Sequence, residues 1–306
     1  MPPSTLASCA NVIAQLLRIT HLTVQRFNLL SIISESVVWD AFVVSLDIDG
    51  ATPLKGLVLD GTNFTNTYSF HRMLSQSRLQ YLEELFIRDC LIGNLPRGLD
   101  GYEEHTIRYP WPRYSTSLKT LTILRSPTVF NTLYDKRCPV DITGVRMLQY
   151  IMRQERDLEL EKFRREFNSL THLKSRGNKI AVEHFSKPAL PLLTHYYIEL
   201  SIRFPCLDIH HAAPNLRYVI LDTQDIYPRP NNFQAFRDEL LKIIIDAPLP
   251  NRVRFVVVVP RWALYQAREG LNLVNQNRPL EIYAPCTLRD PTMSHVDYDA
   301  TLVEVS

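Results

Sequence analysis

The sequence predicts an α/β fold: short strands, each followed by a turn and a helix, stacked side by side as an irregular solenoid with a curved parallel sheet. Three observations predict it. An eleven-residue rhythm, apolar at positions 1, 4, 6 and 11 with a small or polar group at 9, recurs along the chain. Stretches with helical spacing lie between the copies. Twenty Pro fall mostly between the apolar runs as punctuation, while only nine Gly are present, which disfavours glycine-rich phosphate-binding architectures.

The first copy, ITHLTVQRFNL from Ile19, places Leu22, Val24, Phe27 and Leu29 at positions 4, 6, 9 and 11. LKGLVLDGTNF follows from Leu54, with Leu57, Leu59, Thr62 and Phe64, and LEELFIRDCLI from Leu82, with Leu85, Ile87, Cys90 and Ile92. LTHLKSRGNKI starts at Leu170 and breaks the rule at position 6 with Ser175. LRYVILDTQDI starts at Leu216, with Val219, Leu221, Gln224 and Ile226. Looser copies begin at Leu118, Leu193 and Val253. Three fixed apolar positions recur by chance in a chain of this length, so the full eleven-residue form of the copies at 54, 82, 170 and 216 carries the inference.

Positions 4 and 6 lie two apart, so both side chains leave a short strand on one face. Position 9 falls where the chain turns, and a polar group there bonds turn backbone that would otherwise be unpaired. Position 11 returns to the core. A handful of buried apolar groups falls short of the ordering cost of one such unit, so each unit must stack on its neighbours. The spacing predicts roughly seven or eight repeats.

Three helices are predicted between the copies. One runs from Ser31 with Ile33, Val37, Val38 and Phe42 near helical spacing. A second starts at Val145 and aligns Leu148, Ile151, Met152, Leu158 and Phe163, with charges elsewhere. The third opens with a cap-type Asn at 231 and aligns Phe233, Phe236, Leu240 and Ile244. Residues 1–18 then read as an N-terminal cap, 19–285 as the solenoid, and 286–306 as a polar tail without fixed structure.

The bulk numbers remove several function classes. With 45% apolar and 22% charged residues among 306, the chain is of the folded class. Thirty-four basic against thirty-two acidic residues give no electrostatic footprint for nucleic acid or an anionic membrane. Five widely spaced Cys without a C-x-x-C predict reduced thiols and a cytoplasmic or nuclear protein rather than a disulfide framework or zinc site. No apolar run approaches the length of a membrane span, and no signal peptide is recognisable before Arg18. The sequon at Asn63 reads as accidental.

The repeats resemble leucine-rich repeats. LEELFIRDCLI is similar to the cysteine-containing subtype of F-box and related adaptor proteins, and the irregular spacing from about 19 to 283 resembles divergent fungal F-box/leucine-rich-repeat proteins. The resemblance implies non-catalytic protein recognition, with a ubiquitylation substrate as the partner. The F-box module itself, with its Leu-Pro-x-Glu-type opening, is not found, and the chain reads as beginning inside the repeat region. Contact with a ubiquitin-ligase core is therefore expected only if an F-box lies upstream.

In such a solenoid, positions 3, 5 and 7 of each strand face outwards. They read Gly56, Val58 and Asp60; Glu84, Phe86 and Arg88; Thr120, Thr122 and Leu124; His172, Lys174 and Arg176; His195, Tyr197 and Glu199; Tyr218, Ile220 and Asp222. Aromatic and Arg side chains dominate protein interfaces. Glu84, Phe86, Arg88, His172, Lys174, Tyr197, Tyr218 and Asp222 are thus expected to bind a partner, the competing reading being an ordinary solvated strand face. The insertion at 97–117, stiffened by Pro110 and Pro112, adds Tyr109, Trp111 and Tyr114 as a partner-binding rim; the alternative is that these rings pack back over the solenoid edge. The 225–233 insertion leaves from the same strand end.

Catalytic readings are weaker. Asp208, His210 and His211 have no evident third metal ligand, since adjacent His on a strand face opposite ways. Glu103, Glu104 and His105 sit in a polar insertion with nothing to shift their pKa. Arg164 and Arg165 belong to a mixed-charge segment. No catalytic motif is recognisable, and no cofactor or metal site is predicted. An α/β enzyme with a sheet mistaken for a solenoid, or a structural scaffold with a bland outward face, stay open as alternatives.

Overall fold

The computed structural model describes residues 18–26, 43, 46–47, 51–93, 118–151, 167–176, 190–200, 209, 212–224, 226, 233–271 and 279–284. The chain is α/β and divides into two compact units, residues 1–145 and 146–306. Most of the Ser31 helix, the 97–117 rim, residues 152–166 and the 286–306 tail lie outside the described residues.

Unit 1 holds a parallel ladder in the order β1 (His21–Gln25), β2 (Gly56–Asp60), β4 (Glu84–Arg88), β6 (Thr120–Leu124). A second, short parallel ladder joins β3 (Asn63–Phe64) to β5 (Leu91–Ile92), pairing position 11 of one copy with position 11 of the next. The register aligns copies position by position: Leu57 with Leu85 and Leu85 with Leu121, then Leu59 with Ile87 and Ile87 with Ile123. All six of these side chains are buried, so positions 4 and 6 form two apolar rows.

The backbone repeats as faithfully as the side chains. The N–H groups at positions 2 and 3 both donate to the position-2 carbonyl of the preceding strand: Lys55 and Gly56 to Thr20, Glu83 and Glu84 to Lys55, Lys119 and Thr120 to Glu83. Each strand leaves through a left-handed residue at position 8, namely Arg26, Gly61, Asp89 and Arg125, with φ of 54°, 63°, 51° and 53°. Only one of these is glycine, so the conformation is imposed by the stack: Arg26, Gly61 and Asp89 each donate their N–H to the next strand's last carbonyl.

Position 9 behaves as its chemistry requires. The buried Cys90 thiol donates to the Leu59 carbonyl at 3.4 Å and also contacts the Arg88 carbonyl at 3.3 Å. The Thr62 hydroxyl reaches the Val24 carbonyl at 3.5 Å, the same relation one strand earlier. Ser126, at position 9 of the Leu118 copy, accepts the Cys90 N–H at 2.9 Å. Helix α1 (Thr67–Leu74) opens with a reciprocal cap: Asn66 Oδ1 accepts the Ser69 N–H at 2.8 Å, and Ser69 Oγ accepts the Asn66 N–H at 3.4 Å. Helix α2 (Pro127–Leu133) starts with Pro at its first position and buries Val129, Phe130 and Leu133.

Unit 2 holds six parallel strands in chain order: β7 (Met147–Ile151), β8 (His172–Arg176), β9 (His195–Glu199), β10 (Tyr218–Asp222), β11 (Arg254–Val258) and β12 (Leu280–Tyr283). Its position-4 row runs Leu148, Leu173, Tyr196, Val219, Phe255, Leu280, all buried. The bifurcated position-2 carbonyls recur, Thr171 and His172 donating to Arg146, Thr194 and His195 to Thr171, Arg217 and Tyr218 to Thr194. Helices α3 (Phe233–Asp246) and α4 (Leu264–Leu271) follow β10 and β11. In α3, Phe233, Leu240 and Ile244 are buried and Phe236 is half-buried.

Four expectations are corrected. The helix from Val145 is a strand over 147–151: Leu148 pairs with Leu173 and Val145 is buried, which is the same 1-and-4 spacing as the other copies. Leu148 and Ile151 suit both periods, and inter-strand bonding decides between them. The copy at Val253 is shifted by one residue. Phe255 and Val257, not Val256 and Val258, stand in register with Val219 and Leu221, because an unbroken apolar run carries no alternation to fix the register. Besides the short β3 and β5, the described residues hold ten strands, since 147–151 and 280–283 add strands that the eight starts omitted. In the Leu216 copy, Gln224 is only half-buried. Thr223, one residue earlier, takes the buried turn position and donates to the Val258 carbonyl at 2.9 Å.

Candidate functional site

The side chains at positions 3, 5 and 7 leave each ladder on the face opposite the apolar rows. In unit 1, Glu84, Phe86 and Arg88 stand there half-buried. Arg88 grips Asp60 of the adjacent strand with both arms, Nε to Oδ1 at 2.8 Å and Nη2 to Oδ2 at 2.6 Å. The pair is sheltered, with 18% and 19% of the two side chains exposed. The Arg88 hydrogen bond holds the Asp60 carboxyl below the usual carboxylate range. The same guanidinium lies 5.9 Å from the centre of the Phe86 ring. A Cβ at Gly56 would lie 2.4 Å from Cδ2 of the exposed His21 ring, so a larger residue there would push that side chain aside.

Unit 2 brings five of the expected residues into one network. His172, His195 and Tyr218 occupy position 3 on successive strands and stack in register. The His172 and His195 ring centres are 4.3 Å apart at 6°, and those of His195 and Tyr218 are 4.8 Å apart at 8°. Each imidazole is held by the Thr before it. Thr171 Oγ1 donates to the Arg146 carbonyl at 3.1 Å, and Thr194 Oγ1 to the Thr171 carbonyl at 3.2 Å. Each Thr oxygen also lies 2.9 Å from the Nδ1 of its neighbouring His, within hydrogen-bond reach. Burial, the adjacent His172 and then Arg217 lower the His195 pKa to about 4.

At position 5, Lys174 Nζ lies 4.4 Å from the centre of the Tyr197 ring and 3.1 Å from Glu199 Oε1. The Tyr197 hydroxyl donates to Asp222 Oδ2, and Asp222 Oδ1 accepts the Gln224 N–H at 3.0 Å. These side chains are locked by one another, so a partner meeting them orders few new rotamers.

The outward face is less open than the alternation predicts. Thr120, Thr122, Ile220 and Asp222 are all buried. Asp222, expected at the surface, is 3% exposed because Tyr197 and the turn after β10 enclose it. Ile220 packs with Val256 and Val258, and Tyr197, Tyr218 and Tyr283 pack against the three. Val256 and Val258 were missed by sequence reasoning because the copy at Val253 was read one residue out of register, and Tyr283 because the strand at 280–283 was not recognised. The paired hydroxyl and imidazole had a visible signal: Thr-His follows an apolar residue at 19–21, 170–172 and 193–195.

Tyr109, Trp111 and Tyr114 lie outside the described residues, as do Glu103, Glu104, His105, Asp208, His210 and His211. Among the described residues no group of three or more His, Cys, Asp or Glu is placed to hold a metal, and no helix is long and apolar enough to cross a membrane. Cys90 is buried, and burial pushes its thiol up to about 12, which leaves it protonated. Comparison with protein-family models, curated proteins and solved structures found no match.

Proposed function

We propose that each ladder is a run of divergent leucine-rich repeats, and that the chain recognises a protein partner through its outward strand faces without catalysing a reaction. The observation that carries this reading is the rung-by-rung repetition of backbone bonds, turn residues and apolar rows. It presents a pre-ordered lattice of His, Tyr, Lys and Asp side chains on parallel strands. Aromatic groups beside paired charges, already fixed in place, have the composition of interface anchors. A role as the substrate-binding part of an F-box-type ubiquitin-ligase adaptor rests on the resemblance of LEELFIRDCLI and its neighbours alone.

The test is affinity purification of the tagged chain from its native cell, in parallel with a Lys174→Ala/Tyr218→Ala variant of unchanged circular dichroism. Proteins held by the parent chain and lost with the variant support the reading. Identical sets from both exclude the unit 2 face. Ubiquitin-ligase subunits among the retained proteins would support the adaptor role, and their absence from an otherwise specific set retires it.

A further inference from the structure

The strongest feature outside the strand faces is the surface formed by the 3₁₀ turn Arg261–Ala263 and helix α4. Trp262 is 61% exposed and Tyr265 is 76% exposed. They stand three residues apart, so the two rings are neighbours on one side. Arg268 continues the same stripe one turn further, and Arg261 precedes it; both are exposed. Large aromatic side chains present roughly 150–250 Å² each, so the two rings together expose on the order of 300 Å², the size of a functional patch on a single chain.

The two guanidiniums differ from four that are held by carboxylates. Arg88, Arg125, Arg137 and Arg237 are bonded to Asp60, Asp89, Asp135 and Asp238. Arg261 and Arg268 have no ion pair or hydrogen bond to any described side chain. The patch is also firmly seated. Ala263, Ala267 and Leu271 are buried on the opposite side of the helix, and a Cβ at Gly270 would stand 3.0 Å from the Phe233 ring, so α4 lies close against α3 there. A rigid base holding Trp, Tyr and two uncommitted Arg has hot-spot composition.

We propose that this surface docks an acidic segment of a partner protein that also carries an apolar side chain. The guanidiniums take the carboxylates and the two rings cover the apolar group. Charge decides the partner class. Two guanidiniums set against the adjacent carboxylate of Glu269 suit a short acidic segment. They fall well below the basic clusters that phosphate backbones or anionic membranes select. The site is separate from the strand faces and stands independently of them.

The experiment is fluorescence anisotropy on the full chain with a labelled peptide of repeated Asp-Glu-Leu-Phe. Controls are the same peptide with Lys for the acids, one with Ser for Leu and Phe, phosphatidylserine vesicles and a short single-stranded DNA. The acidic apolar peptide is expected to bind saturably and to weaken with salt, with both control peptides about tenfold weaker or worse. Trp262→Ala/Tyr265→Ala and Arg261→Glu/Arg268→Glu should each weaken it about tenfold at unchanged melting temperature, while Tyr197→Ala binds as the parent does. Should the aromatic variant fail to fold, the charge reversal and the Lys peptide carry the test. No binding, equal binding of the Lys peptide, unchanged binding by the folded variants, or binding confined to vesicles or DNA overturns the proposal.

Discussion

Tyr196 and Ser175 share a hydrogen bond of 3.0 Å in the interior of unit 2, the phenol at position 4 of β9 meeting the hydroxyl at position 6 of β8. Both residues are buried. The polar residue that breaks the repeat in β8 is thus matched by a polar tip in the next strand. Burial pushes the Tyr196 phenol up to about 12, so it stays protonated.

Removing one partner strands the other. Ser175→Ala should cost about 1–3 kcal/mol in urea unfolding by leaving the phenol unpaired, and Tyr196→Phe a similar amount. The double variant Ser175→Ala/Tyr196→Phe should cost clearly less than the sum. Strict additivity in that cycle would mean that the bond contributes nothing.

His195 ties stability to pH. Its folded pKa, about 4, lies below the ordinary 6.5, so the unfolded chain binds the proton more readily. The contribution is present above pH 6.5 and is lost as pH falls toward 4. After solvent screening on the strand face it should reach the order of 1–2 kcal/mol. Thermal unfolding between pH 7 and pH 4.5 should show a steeper loss for the parent than for His195→Gln. Parallel curves would remove His195 as the cause.

Cys90 should resist alkylation. Its protonated thiol faces two carbonyls in the core, and the thiolate is the reactive form. Iodoacetamide at pH 8 should leave Cys90 unmodified in the folded chain and modify it in urea, read by mass spectrometry of the peptide. Rapid native labelling would show that this turn opens freely.

Asp60 and Arg88 should behave as a sheltered, two-pronged pair. Arg88→Lys keeps the charge and loses the fork, and should cost about 1 kcal/mol. Asp60→Asn should cost a comparable amount, and the cycle with Arg88→Lys should show coupling. Raising salt to molar concentration should leave most of the coupling in place, since the pair is mostly out of solvent.

The strand positions were legible wherever apolar residues alternated within a marked window. The copies at 54 and 82 lie in register with each other as the spacing required, as do those at 170, 193 and 216. Position 9 was readable too, because Thr62 and Cys90 follow from the need of turn backbone for partners. The left-handed exit at position 8 was not, since Arg26 and Arg125 carry no local preference for it. The candidate residues were half legible. Alternation put Lys174, Tyr197 and Tyr218 on one face and the repeat set His172 beside His195, but no spacing rule links Tyr197 to Asp222.

The sequence by itself determined that short strands with two inward apolar positions would have to stack, because one such unit buries too little surface to stand alone. Tertiary structure decided the rest: that 147–151 is a strand, that Phe255 and not Val256 stands in the position-4 row, and that Ser175 is satisfied by Tyr196. The physical reason is that apolar burial has no direction along the strand, whereas backbone hydrogen bonds between neighbouring strands allow one register, and only that register brings residues distant in sequence within bonding distance.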